Sequence, residues 1–326
     1  EAVRVLCIEG SRDAARYLAM ALSPDESQKS RIQPVVEPES ALLEVELSPY
    51  DCLFLCNIGR FGRSEAEVLR DYLSRGGAVV FFLGDQVQSD SYNKVLGTGA
   101  DGQGILPGKL GTPTPISDYS FDPLQYRDPI VAPFQNNEQA GLLTTPVWKY
   151  IPIDVSEVPN TKVALGMNTG DPAIAELVVG AGQVLIVCTA ASDQSMDRST
   201  SPPTPWTALC AWPSFPPLVQ RILDAATSRR ERQRNRIVGD PIEAQAFSNV
   251  APTASVIVDP EGERLRVAAP PGSETGWIYT DTFQRGVYSV QVNGSPGDVQ
   301  LFCTNIDTVE SQLDRLEGEL LPSQFR

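Results

Sequence analysis

GGAVVFFLGDQV, residues 76–87, decides the fold. Two glycines open it, an unbroken apolar run follows, and Gly84-Asp85-Gln86 closes it. An apolar run without polar alternation reads as a strand covered on both faces. The glycine pair is a helix stop, and just upstream Ser64-Glu65-Ala66-Glu67 sets a Glu three positions after a Ser. That is a capping-box spacing, and it predicts a helix running to about Ser74.

Working outward, the same grammar repeats. VRVLCI (3–8) is a buried strand ended by Glu9-Gly10, with Ser11 as the expected cap of a helix carrying Ala15, Leu18, Ala19 and Leu22 on one face and stopped by Pro24. A shorter strand at 32–36, a helical turn after Ser40 and a third buried strand, DCLFLCN (51–57), follow. Strands that alternate with helices predict an α/β fold with a doubly wound, mostly parallel sheet. Residues 149–155, 162–167 and 183–190 read as further strands, and 215–228 as a helix. The Gly- and Pro-rich stretch 97–146 reads as an insertion over the sheet.

Beyond Val238 the period changes. Short alternating strands at 255–258, 264–268, 277–281, 287–292 and 299–304, separated by turns such as Asn293-Gly294, predict a small all-β, Ig-like sandwich. The expected organisation is an α/β domain over 1–236, a β-sandwich domain over 237–307 and a helical tail over 308–326.

Composition narrows the chemistry. The net charge is -15, from 41 acids against 26 bases, which disfavours nucleic acid and anionic lipid as partners. Among the 326 residues there is no histidine, so Ser–His–Asp triads, Cys–His dyads and HExxH zinc sites are excluded. The cysteines Cys7, Cys52, Cys56, Cys188, Cys210 and Cys303 form no CxxC pair, and the first four lie in strand-like runs as expected inert thiols. Gly84 does not begin a GxGxxG or a Walker loop, no GKS or GKT occurs, the TGADGQG run at 98–104 lacks the flanking strand and helix of a phosphate cradle, and no cofactor is expected. The chain begins at Glu1 without an initiator Met, which suggests a soluble piece of a longer protein.

Open α/β sheets bind ligands beyond the carboxyl ends of their strands. The candidate ligand-binding residues are therefore Glu9, Asn57, Asp85 and Gln86, with no catalytic residue assigned. Where a nucleophile elbow would stand, the chain offers Asp85 and Gln86, neither of them Ser or Cys. Asp193, Ser195 and Asp197 follow a buried strand and form a weak candidate for a hard metal ion, reminiscent of a von Willebrand type A site.

Taken in order, VRVLCIEG (3–10), DCLFLCNIGRF (51–61) and GGAVVFFLGDQV (76–87) resemble the class I glutamine amidotransferase-like fold, a flavodoxin-like and Rossmann-like architecture. In that fold a Cys nucleophile follows the strand equivalent to 78–83, and its His and acid come later. Here neither Cys nor His is supplied, so the resemblance implies the architecture and argues against glutaminase activity. Residues 182–185, 206–209 and 212–219 (WPSFPPLV), with the tail RGVYSVQV…LFCTNIDTVESQLDRL (285–316), resemble bacterial membrane-anchored proteins of the aerotolerance-regulator type, which carry a von Willebrand type A domain. That resemblance implies the soluble portion of a longer membrane-anchored protein, held outside the cytoplasm, touching membrane only through segments outside this chain.

The expected function is a non-catalytic interaction or scaffolding module with protein partners. The alternatives are a carboxylate enzyme built on Asp85, Glu9 and Asp90 or a small-ligand binder at the sheet edge near Asp85, and a sugar- or peptide-binding protein using Tyr119, Phe121, Tyr126 and Trp148.

Overall fold

A computed structural model describes residues 2–24, 31–97, 104–244, 255–267, 277–292 and 299–306. The chain divides into two compact units, Glu1–Arg230 and Glu231–Arg326. The expected tail at 308–326 and most of the TGADGQG run at 98–104 lie outside the described residues.

In the first unit the elements follow in order β1 (Val3–Glu9), α1 (Arg16–Leu22), β2 (Ile32–Pro38), α2 (Ala41–Glu44), β3 (Cys52–Cys56), α3 (Arg63–Ser74), β4 (Ala78–Phe82) and α4 (Ser89–Val95). Then come β5 (Lys109–Leu110), β6 (Phe121–Asp122), β7 (Ile153–Asp154), β8 (Lys162–Met167), β9 (Pro172–Val179), β10 (Gly182–Val187), β11 (Met196–Asp197), β12 (Thr204–Pro205) and α5 (Phe215–Arg234). Every residue of β3 and β4 is buried, as their unbroken apolar runs require. Fully burying each such Val, Leu or Phe side chain contributes about 1.5–3 kcal/mol, so these two strands anchor the core.

The main sheet has the order β2-β1-β3-β4-β10-β9-β8-β6. It corrects the expectation of a doubly wound, mostly parallel sheet. The strands β2, β1, β3, β4 and β10 run parallel, but β9, β8 and β6 join antiparallel, so the eight strands form one mixed sheet. The reason is β9, PAIAELVV, which the sequence reading passed over because Ala, Glu and Leu favour helix and no alternation marks it. It pairs with β10 across the two-residue turn Gly180-Ala181, where Gly180 has a φ of 60° that glycine adopts without strain.

Two local expectations also shift. The helix expected from Ser11 starts only at Arg16, after a turn in which Asp13 has a φ of 64°. The Ser64–Glu67 box does not form, because the helix is capped two residues earlier, at Gly62, and Glu65 Oε2 accepts the Gly62 N–H at 3.0 Å. The insertion does not merely cover the sheet. Its β6 pairs with β8 to extend it, and β5 pairs with β7 beside α4, where Ser89 Oγ donates to Gly111 O at 2.6 Å.

One sheet edge is β2. Val3 N donates to Arg31 O at 2.7 Å, so alternation turns Pro34 and Pro38 away from β1, toward the side where no strand pairs among the described residues. Proline has no N–H to offer there, which blunts the edge against pairing with another strand.

The second unit consists of β13 (Asn235–Ile237), β14 (Ile242–Ala244), β15 (Ser255–Val258), β16 (Arg264–Val267), β17 (Trp277–Tyr279), β18 (Gly286–Val292) and β19 (Val299–Asn305). In place of the expected sandwich, one five-stranded sheet, β13-β19-β18-β15-β16, packs against the two-stranded β14–β17 ribbon. Their shared core holds Ile242, Ile257, Trp277, Tyr279, Tyr288, Val290 and Phe302. Trp277 Nε1 donates to Ser255 Oγ at 2.6 Å, satisfying the one polar atom of that buried ring.

Candidate functional site

The parallel strands deliver their last residues to one edge, and Asn57 organises it. Asn57 follows β3, is buried, and has a φ of 54°, a conformation that costs most residues about 1–2 kcal/mol. Three contacts hold it there. Its Nδ2 donates to Asp85 Oδ1 at 2.9 Å and to Ser11 Oγ at 3.3 Å, and its Oδ1 accepts from Gln86 N at 3.0 Å. One buried amide thus links the segments that follow β1, β3 and β4.

Two glycines make room for it. A Cβ at Gly10 would stand 2.2 Å from Asn57 O, and one at Gly84 would stand 2.4 Å from Asn57 Oδ1 and 2.6 Å from Ser195 Oγ. Neither position tolerates a side chain at that separation.

Asp85 is held with its side chain only 10% exposed. Its second oxygen, Oδ2, receives Gln86 Nε2 at 3.3 Å and faces Arg198 Nη1 at 3.8 Å. The neighbours of this carboxylate are therefore two amides and a guanidinium. Of the four candidate residues, the structure brings together Asn57, Asp85 and Gln86. Glu9 is spent elsewhere, its Oε2 accepting the Ala15 N–H at 3.5 Å at the start of α1.

The weak metal candidate disperses. Asp193 accepts from Tyr17 OH at 3.4 Å, Ser195 Oγ is buried without a hydrogen-bond partner among the described residues, and Asp197 pairs with Lys149 Nζ at 2.6 Å. Lys149 and the Ser199 donors together pull the Asp197 carboxyl down to about 2. Among the described residues no three His, Cys, Asp or Glu side chains are grouped to hold a metal ion.

Burial pushes the thiols of Cys7, Cys52, Cys56 and Cys188 well above the ordinary cysteine value, which leaves them protonated and unreactive. Cys210 is raised to about 11, by burial first and then by the charge of Asp193. Of the aromatics weighed as a ligand platform, two are taken up in packing. Tyr119 meets Tyr150 edge-on at 4.9 Å, and Phe121 is buried in β6. The sequence reading missed Arg198, because a lone arginine in a Ser- and Asp-rich loop carries no local signal.

No family model and no curated protein matches the chain. Solved structures do. Cytoplasmic protein STM1381 from Salmonella typhimurium LT2 aligns with a TM-score of 0.51 at 15% identity, over 69% of this chain and 99% of its own. Cytoplasmic protein STM3548 from Salmonella typhimurium aligns with the same score at 13% identity, again over 69% and 99%. A catalytic mutant of a family 42 β-galactosidase from G. stearothermophilus reaches only 0.40 at 12% identity, over 58% of this chain and 27% of its own, too low a score to bear on architecture.

These comparisons bear on two expectations. No amidotransferase or von Willebrand type A protein is among the matches described, so the resemblance to membrane-anchored aerotolerance-type proteins is corrected. The expected placement outside the cytoplasm gains no support from them, both Salmonella structures being described as cytoplasmic proteins. Among the described residues no helix is long and apolar enough to cross a membrane. At such identities, what this chain shares with the two Salmonella proteins is the fold.

Proposed function

We propose that the chain is a non-catalytic interaction module whose recognition point is the strand edge at Asp85. The observation that carries this reading is the company Asp85 keeps. Acid–base work on a sugar or ester needs a second titrating group or a nucleophile across the reacting bond. The contacts of Asp85 are the amides of Asn57 and Gln86 and the guanidinium of Arg198, none of which supplies a second acid, a base or a nucleophile. The hydroxyl of Ser195 is enclosed against Gly84, and burial holds the thiols of Cys7, Cys52, Cys56 and Cys188 protonated. Such a site can grip a group but has nothing with which to transfer it.

The test is a panel of chromogenic glycosides, esters and amides, offered to the purified chain and to Asp85→Asn. Silence from both supports the reading. Turnover by the wild-type chain that Asp85→Asn abolishes, with the fold intact by circular dichroism, overturns it.

A further inference from the structure

Asp85 Oδ2 is left incomplete by its own surroundings. Charge-assisted hydrogen bonds to a carboxylate ordinarily close to about 2.7–2.9 Å. Oδ1 has such a partner in Asn57 at 2.9 Å, whereas the donors around Oδ2 stand at 3.3 Å and 3.8 Å. The carboxylate is nine-tenths withdrawn from water, while the guanidinium opposite it is 72% exposed and out of hydrogen-bond reach. A buried charge so loosely matched attracts a closer cation strongly, because water no longer competes for it.

We propose that Asp85 and Gln86 form a receptor for a guanidinium group of a partner protein, which Arg198 occupies loosely in the free chain as an internal stand-in. The proposal rests on the non-catalytic reading above and names its ligand. An opening that leaves a carboxylate 10% exposed admits the tip of a side chain rather than a flat surface. The net charge of -15 draws basic partners toward it. The backbone beside Arg198 is fixed, since Asp197 is anchored by Lys149 and accepts from Ser199 N at 2.8 Å. Displacement therefore needs only the exposed Arg198 side chain to swing away.

The test titrates L-argininamide, lysinamide and glycinamide into the full chain at low salt, followed by calorimetry or amide chemical shifts. Arg198→Ala is expected to bind argininamide about two- to fivefold more tightly than wild type, the effect of releasing one exposed ion pair. Asp85→Asn is expected to abolish binding, and glycinamide to leave all forms unchanged. Equal affinity of wild type and Arg198→Ala overturns the proposal, as does undiminished binding by Asp85→Asn or lysinamide bound as tightly as argininamide. If Asp85→Asn fails to fold, the comparison with Arg198→Ala decides alone, because that side chain is exposed. Failure here with the turnover panel still silent removes the cation site and leaves the non-catalytic reading standing. Turnover that depends on Asp85 removes both.

Discussion

Asn57 Nδ2 donates to Asp85 Oδ1 at 2.9 Å while Asn57 Oδ1 accepts from the next residue's backbone, Gln86 N, at 3.0 Å. A single side chain thereby fixes both the carboxylate and the peptide that presents it. The strand ends behave as one unit through this amide.

Removing it should be costly in a resolvable way. Asn57→Ala strips partners from a buried carboxylate and a backbone N–H and puts alanine at positive φ, a loss of about 3–5 kcal/mol. Asn57→Gly loses the same bonds without the backbone strain, so it should be about 1 kcal/mol less damaging. Urea unfolding of both variants reads the difference. Equal losses would mean that the left-handed backbone at position 57 is not strained.

Glu176 offers a pH-dependent prediction. It is buried on β9, with Lys162 Nζ at 3.4 Å and Gln183 Nε2 at 2.8 Å. Lys162 also pairs with the buried Asp128, so one ammonium serves two carboxylates. Burial raises the Glu176 carboxyl above its ordinary 4.5, and the shared ammonium does not offset this. For Lys162, burial works downward, but the two carboxylates together leave it above its ordinary 10.5. A raised acid binds its proton more readily in the folded state, so Glu176 weakens the fold at neutral pH. That penalty is relieved as pH falls through its folded value toward 4.5. Glu176→Gln should therefore melt above wild type at pH 7, with the gap closing on acidification. A gap that is constant with pH would rule out this account.

Asp197 runs the opposite way. Its carboxyl, drawn from 3.8 to about 2 by Lys149 and Ser199, contributes stability that is complete above 3.8 and lost as pH falls toward 2. Lys149→Met removes the largest cause. The variant's stability should then fall less steeply than that of wild type over that window in an acid titration followed by circular dichroism.

Leu124, Gln125 and Tyr126 have φ of 48°, 63° and 56°, three consecutive left-handed residues without a glycine. Each such residue costs about 1–2 kcal/mol against an L side chain. Gln125 is exposed and, among the described residues, its side chain accepts only from Arg127, so Gln125→Gly relieves strain while surrendering little. After the entropy that glycine adds to the unfolded chain, a net gain of about 0.5–1 kcal/mol is expected in urea unfolding. A loss would show that the turn is comfortable as it stands.

Much of the first unit was legible because its strands are apolar on both faces. VRVLCI, DCLFLC and AVVFFL announce burial in any context, and the residues just past them must fall at one edge whenever such strands run parallel. That rule alone puts Asn57, Asp85 and Gln86 at one edge, where their side chains and backbone meet. Glu9 obeyed the same rule and still went elsewhere, because its longer side chain reaches back to the Ala15 N–H.

By itself the sequence determined the buried strands, the absence of histidine chemistry and the position of the edge, since apolar content and residue type are local facts. Tertiary structure alone decided that the sheet is mixed, because PAIAELVV becomes a strand only with β8 and β10 on either side and with Lys162 and Gln183 there to receive Glu176. It also decided that Arg198, more than a hundred residues from Asp85 along the chain, is the cation that faces it. A contact between distant segments leaves no periodicity to read; it exists only once both backbones have been placed.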